Sequence, residues 1–512
     1  MPELLKVLEK GREDEWYAFI WMEEVLSRSV TIGKIENVAE STDRGMVFRI
    51  QQGGRVFERS TNRLDRESLF KLAELFRDEV ERAAAVSGGA FPAYRPLSWE
   101  EEIKIPLGNE FISQIPESAN ESSWIHFSPN CVYNPFDTDV GDLAEKARAL
   151  RQKVSERSGE YIQTENTNLP EKALAPLSEI RVHMRQNIKT HIFVDRMKNM
   201  SQSLPVSLAY PMGISSTGHV GRAIAGGLGG LEIADISEED LDLAAILPLR
   251  LSRASRIQPG RYKVITGPDV TGVIAHEAFG HTQEGDTWMK GRSISVDLRE
   301  KGIKVGNDQA SIVNYAAVFS MDELSHGSNG SYFFDHEGQL SRPQVILDKG
   351  MLSKPMADLT VSVRMNVPRT ANGKRESWRR PLMTRQTNTY FTPGDKTLDE
   401  LIAMVDNGYL ARYAHGGMED PKGGSLTAGA EYFEEIKNGK LTGQIYLGPS
   451  GGHIELSDPV FTLLDRIIAK TSSVHPEGIP ENKFGGCGKY HKESVEAGCG
   501  GPYILWESVN CG

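Results

Sequence analysis

The chain has 512 residues, enough for about two to three domains whose cores need no disulfide or metal staple. A formal net charge of −12, with no Lys/Arg-rich block, excludes a grip on nucleic acid through phosphate neutralisation. No apolar run of 18 residues and no signal-peptide pattern occurs, and four cysteines are too few for a secreted disulfide framework, so a cytoplasmic protein without membrane contact is expected.

In chain order, an opening helix pattern passes into alternating stretches. Val30–Ile35 and Gly45–Phe57 read as strands, the second holding a Gly53-Gly54 hairpin turn. Ser68–Ala85 has the apolar spacing of an amphipathic helix that ends at Gly88-Gly89. Residues 91–137 are Pro-rich and read as a long surface loop or an inserted hairpin. Asp137–Asp142 resembles part of a calcium loop, but it lacks the Asx residue before Gly141 and the closing Glu. It reads instead as the N-cap of a helix over Asp142–Gly159. Strand-like segments follow at Ile192–Val194 and Leu204–Tyr210. Gly218–Gly230 contains six glycines outside any strand–turn–helix setting, which predicts a backbone crossing and not a nucleotide site. Glu238–Ser255 reads as helix, and Pro259-Gly260 turns the chain into a strand at Tyr262–Ile265. Beyond it, Phe333–Leu340, Gln344–Gly350 and Gln444–Gly448 read as short strands, and Thr397–Asn407 as a helix. The expected fold is α+β. An N-terminal domain of mixed helix and strand spans 1–210, and a larger C-terminal domain rich in antiparallel sheet spans 211–512.

The most informative stretch is His276-Glu277-Ala-Phe-Gly280-His281. Imidazole is the commonest metal ligand, and a carboxylate beside a metal site is a ready general base. The histidines are five apart, one more than in the familiar HExxH spacing. On a regular α-helix, positions i and i+5 diverge by roughly 140°, so both rings face one metal only if the helix is distorted. A π-bulge would re-stack them, and so would a break at Gly280, where backbone freedom is cheap. A third ligand is still required, with the fourth position left for water. Cys487 is the leading candidate, because it lies among glycines that allow close backbone approach and a reducing compartment keeps its thiol available. Cys499 and His491 are further candidates.

The chain resembles the TldD/PmbA family, and specifically its TldD-type subunit. The likeness runs through Pro259–Val264, His276–His281, Glu284-Gly-Asp286, Phe334–Gly338, Gln386–Tyr390 with Pro393-Gly394, Cys487-Gly-Lys489 and Gly500-Gly-Pro502. A weaker likeness reaches Glu232–Asp235. The resemblance implies a cytosolic, zinc-dependent metallopeptidase of HExxxH type, with one Zn2+ held by His276, His281 and Cys487 and with Glu277 as base. It further implies unstructured peptides or protein segments as substrates and a dimeric assembly around an enclosed chamber, either a homodimer or a heterodimer with a PmbA-like subunit. This sequence departs from the family at Tyr490-His491-Lys492, where Asp-Gly-Gln is usual.

Two other classes stand beside this reading. A regulatory or scaffold protein, such as a gyrase modulator, would close a structural metal site with a fourth protein ligand, His491 or Cys499. Glu277 would then have no purpose. A thiol redox protein is disfavoured because no Cys-x-x-Cys is present.

Overall fold

The computed structural model describes residues 1–85, 93–105, 114–129, 131–168, 173–318, 328–472, 486–489 and 494–512. Its first half is one twisted sheet. Strands β1 (Tyr17–Ile32), β2 (Asn37–Gln52), β3 (Arg55–Thr61), β4 (Trp124–Phe127), β5 (Glu179–Val194) and β6 (Asn199–Ile214) lie in the order β3-β2-β1-β5-β6-β4. All pairs are antiparallel except β4 with β6. Gly53 and Gly54 take φ of 54° and 75° in the β2–β3 turn, the left-handed geometry that the Gly-Gly pair leads one to expect there. The glycine-rich stretch expected as a crossing lies on β6 as two small strands, Val220–Arg222 and Ala225–Leu228. The N-terminal sheet thus continues past residue 210.

Strand alternation gives the sheet two different faces. On β1, Ala18 and Ile20 pack under helices α1 (Pro2–Glu9) and α2 (Arg66–Ala85), which contribute Leu4, Leu8, Leu69 and Phe76. Tyr17, Phe19 and Trp21 point the other way, into a core shared with Phe333, Phe334, Leu359 and Trp378 of the second half. Helix α3 (Val140–Asn168) covers the far end of the first face through Leu143, Ala144 and Ala147. Asp139 caps it, accepting from the Asp142 amide at 3.1 Å.

In the second half we label β7 (Gly260–Thr266), α4 (Pro268–Ala275), β8 (Ile312–Tyr315), β9 (Asn388–Phe391), β10 (Asn407–Asp420), β11 (Ser425–Lys437), β12 (Ile454–Pro459), β13 (Gly498–Gly500) and β14 (Ile504–Cys511). Strands β10-β7-β14-β12-β11 close into a ring, because β11 also pairs with β10. The contact of β7 with β10 is parallel and the other contacts of the ring are antiparallel. A third sheet carries β8, β9 and β13. Helix α4 packs between the ring and this sheet. A Cβ on Gly272 would fall 2.3 Å from the Gly500 amide nitrogen, so the helix sits directly on β13.

Several expectations need correction. β1 begins at Tyr17, well before Val30. The helix expected to start at Asp142 and end at Gly159 runs from Val140 to Asn168. The Pro-rich segment is not wholly irregular: it holds a helix, Trp99–Lys104, with a Ser98–Glu101 capping box, and strand β4. Glu238–Ser255 is two short helices, Glu238–Ala245 and Leu247–Leu251, divided where Pro248 enters. Phe333–Leu340 is a buried turn, not a strand. The Asp335 carboxylate accepts from the amides of Glu337 and Gln339 at 3.0 and 2.9 Å, and Gly338 takes φ 71°. These local bonds give the backbone an alternative to a ladder. Gly88-Gly89 and Tyr490-His491-Lys492 lie outside the described residues.

Candidate metal centre

Helix α4 starts regularly, with Gly267 as N-cap and Pro268 in its first turn. At His276 it widens into a π-turn, His276–Gly280, and then tightens into a 3-10 turn over His281–Gln283. This is the first of the two distortions that the i,i+5 spacing demands. It brings the two imidazoles to 4.8 Å between ring centroids, at 88° to each other. Gly280 has ordinary helical angles (φ −61°, ψ −59°), so backbone freedom is not why it is glycine. A Cβ there would meet Gln386 Oε1 at 2.1 Å. Gln386 Nε2 donates to the His276 carbonyl at 3.2 Å, supporting the wide turn from the side.

Cys487 arrives from the far end of the chain, held by a two-way backbone bridge to Val495 at 2.9 and 3.2 Å. Its Sγ lies 3.1 Å from His276 Nε2 and 3.3 Å from His281 Nε2. The donor atoms of His276, His281 and Cys487 all fall within 4.8 Å of one another, the one such group of three among the described residues. Tetrahedral zinc with ordinary Zn–N and Zn–S bonds would set N···S near roughly 3.5 Å, so the donor set and its spacing fit that ion. Burial alone would raise the Cys487 thiol, but His281, His276 and Arg385 hold it well below its usual value. His281 is pushed well up against the effect of burial, by Cys487 and Glu284. This thiolate–imidazolium pairing is a concentrated charge that a divalent cation would replace.

Around the cluster is a supporting set that the sequence did not single out as functional. Glu284 Oε2 lies 3.3 Å from His281 Nδ1, which leaves Nε2 facing the thiol. Lys489 anchors Glu284 at 2.7 Å and Asp286 at 2.6 Å. Arg385 lies 3.5 Å from Glu284 and donates to the Cys487 carbonyl. Burial would raise the Glu284 carboxyl, yet Lys489 and His281 hold it well below the usual range. A carboxylate behind a ligating imidazole fixes its tautomer and orientation. The clues in sequence are position, since Glu284 follows His281 by three residues, and the motifs Glu284-Gly-Asp286 and Cys487-Gly-Lys489 that carry the family resemblance.

Glu277 is 4% exposed beside the cluster. Strand β10 passes over it so closely that a Cβ on Gly417 would lie 2.8 Å from Glu277 Cγ. Past Ala414, among the described residues, β10 pairs with β11 alone, leaving a strand edge next to Glu277. Glu419 on that stretch is raised well above the usual carboxylate range by burial and by the negative charge of Glu277, Glu284 and Cys487, with His281 acting against the shift. The remaining cysteines lie elsewhere. Cys499 and Cys511 are in the core packed around α4 and Cys131 is partly exposed, and none of them is in a disulfide among the described residues. His491 lies outside the described residues.

Residues 259–512 match the PmbA/TldA metallopeptidase C-terminal domain. The chain belongs to the TldD/PmbA metallopeptidase family. A metalloprotease of Methanocaldococcus jannaschii is 31% identical over 276 residues, covering 53% of this chain and 56% of that protein. A TldD homolog of Buchnera aphidicola is 31% identical over 49% of this chain and 48% of its own length. A protein of Saccharolobus solfataricus named as a zinc metalloprotease TldD homolog is 27% identical over 51% of this chain and 53% of its own. The chain spans about half the length of the curated relatives it matches. The fold extends further than the sequence likeness. A Thermotoga maritima protein described as a candidate modulator of a DNA gyrase aligns over 100% of this chain and 99% of that one, with a TM-score of 0.68 at 16% identity. TldE from Thermococcus kodakarensis aligns over 100% and 99%, with a TM-score of 0.63 at 13% identity. No described helix is long and apolar enough to cross a membrane.

Proposed function

We propose that the chain is a zinc-dependent peptidase of HExxxH type that hydrolyses unstructured peptides or protein segments in the cytoplasm. In this reading His276, His281 and Cys487 hold one Zn2+ and Glu277 is the general base. The observation that carries it is the meeting of two imidazole nitrogens and a thiol within 4.8 Å on a π-turn whose second residue is a buried glutamate. A zinc ion held there would acidify a water and polarise the scissile carbonyl. Glu277 takes the proton of the attacking water and delivers it to the leaving amine. Three protein donors suit a site that keeps a position for water.

The edge of β10 beside Glu277 supports an extended substrate. A peptide added to it would be gripped through its backbone and would tolerate varied side chains. The working assembly in this reading is a dimer, with itself or with a PmbA-like subunit.

Elemental analysis and a peptide-cleavage assay test the proposal together. Cys487→Ser should lose most of its zinc. Glu277→Gln should keep zinc and lose hydrolysis by about a hundredfold or more. Full activity in zinc-loaded Glu277→Gln would sink the mechanism, and full zinc in Cys487→Ser would remove the thiolate from the ligand set.

A further inference from the structure

The face of the N-terminal sheet that meets the second half is not filled along its whole length. Beyond Trp21 it opens into a cavity of about 770 Å3 floored by β5 and β6. Residues of β5 alternate into it: Arg181, His183, Arg185, Lys189 and His191. Directly across in register, β6 supplies Met212, Tyr210, Leu208 and Leu204. A basic stripe therefore runs beside a largely apolar one. The second half closes the cavity with Lys374 and Arg375, and also with Gly486 and Val495, which flank and bridge Cys487.

Five Lys/Arg side chains and three carboxylates line the cavity, a net of +2 with histidine neutral, inside a chain whose total is −12. Three of the five cations are committed. Arg181 lies 2.6 Å from Glu179, Arg375 makes two 2.8 Å bonds to Glu58, and Lys189 pairs with Glu496. The other two are poorly matched. Arg185 reaches Glu496 at 3.4 Å, and its buried Nε has no hydrogen-bond partner among the described residues. Lys374 is 5% exposed, and its described contacts are the Glu496 carbonyl and the Tyr332 ring at 5.4 Å. Burial and Arg385 push the Lys374 ammonium down to about 7, although the negative charges of Glu496 and Cys487 act against the shift, so its charged form is unfavourable until a further anion joins it.

We propose that this cavity binds a carboxylate of the peptide substrate on Lys374 and Arg185, with neighbouring aliphatic side chains lying on the β6 stripe. The proposal rests on the peptidase reading, because the cavity begins one residue from Cys487, at Gly486. Opposite charge in a desolvated pocket makes such contacts strong and selective. The carboxylate has two sources, an Asp or Glu side chain or the C-terminus of the peptide.

The test measures binding of labelled, unfolded peptides to the full-length, zinc-loaded Glu277→Gln protein. A Glu-containing peptide is compared with its Gln counterpart and with its C-terminally amidated form. Binding should weaken about tenfold in one arm, which identifies the source of the carboxylate. Lys374→Met should abolish the difference, and Arg185→Gln, at a partly exposed site, serves the same purpose if Lys374→Met does not fold. Equal binding of all three peptides, or discrimination that survives in the variants, overturns the proposal. Cleavage of peptides by the unaltered protein with no carboxylate preference overturns the cavity assignment alone. Carboxylate-dependent binding with no hydrolysis by the unaltered protein overturns the peptidase reading alone.

Discussion

Glu284 holds the metal cluster in shape without belonging to the proposed ligand set. It faces His281 Nδ1 at 3.3 Å and is itself held by Lys489 and Arg385. Glu284→Gln keeps the shape and removes the charge, so zinc affinity should fall by about 10- to 100-fold in a chelator competition. Unchanged affinity would show that His281 needs no partner. A second residue-scale prediction concerns Glu9, at the C-terminal end of α1, 5% exposed and accepting from the Ala18 amide at 3.0 Å. Burial pushes its carboxyl up to about 7, although the Ala18 amide and Arg196 act against the shift. The folded state therefore favours the protonated form more than the unfolded chain does. Stability should fall as pH climbs from about 4.5, the ordinary value, to about 7, and then level off. Glu9→Gln keeps the hydrogen bond and avoids that loss. Its advantage over the unaltered protein should grow across the same window, to on the order of 3 kcal/mol in denaturant unfolding. A difference that does not change with pH would contradict the assignment.

At the scale of the element, the π-turn and Gln386 form one unit. The wide turn brings His276 and His281 together edge to face, and the close approach of Gln386 explains why residue 280 has no side chain. Gly280→Ala should cost about 1 to 3 kcal/mol and weaken zinc binding, because the methyl group overpacks the contact. Gln386→Ala in the same protein should return part of the stability, and the double-mutant cycle should show coupling between the two sites. Additive losses would mean that Gly280 is constrained by something other than Gln386.

At the scale of the molecule, the two halves are bound by buried charge as well as by apolar packing. Arg49 on β2 lies 3.0 Å from Glu337, and Arg375 pairs with Glu58 on β3. The cavity lies where the halves meet and reaches Gly486, next to Cys487. If the proposed dimer encloses the site, it should admit an extended chain and exclude a packed domain. An unfolded polypeptide should be cleaved at least about tenfold faster than the same chain tightly folded, since the folded form must open locally first. Solution mass measured alongside should show a dimer. Equal cleavage of the folded domain, or an active monomer, would rule the arrangement out.

The sequence by itself determined that the site must be distorted. Five-residue spacing between His276 and His281 is incompatible with a regular helix, and this follows from helix geometry alone. It also contained the antiparallel character of the second half, the Gly53-Gly54 turn and the glycine-flanked thiol, because each is a local pattern. Only the tertiary structure decided between a π-turn and a break, since the deciding contact is Gln386, 110 positions from His276. The same holds for the roles of Arg385 and Lys489, which depend on a carboxylate brought to them by folding. The basic face of β5 was written in its alternate residues, Arg181 to His191. Its meaning depends on what lies opposite, and strand alternation specifies a face without specifying its partner.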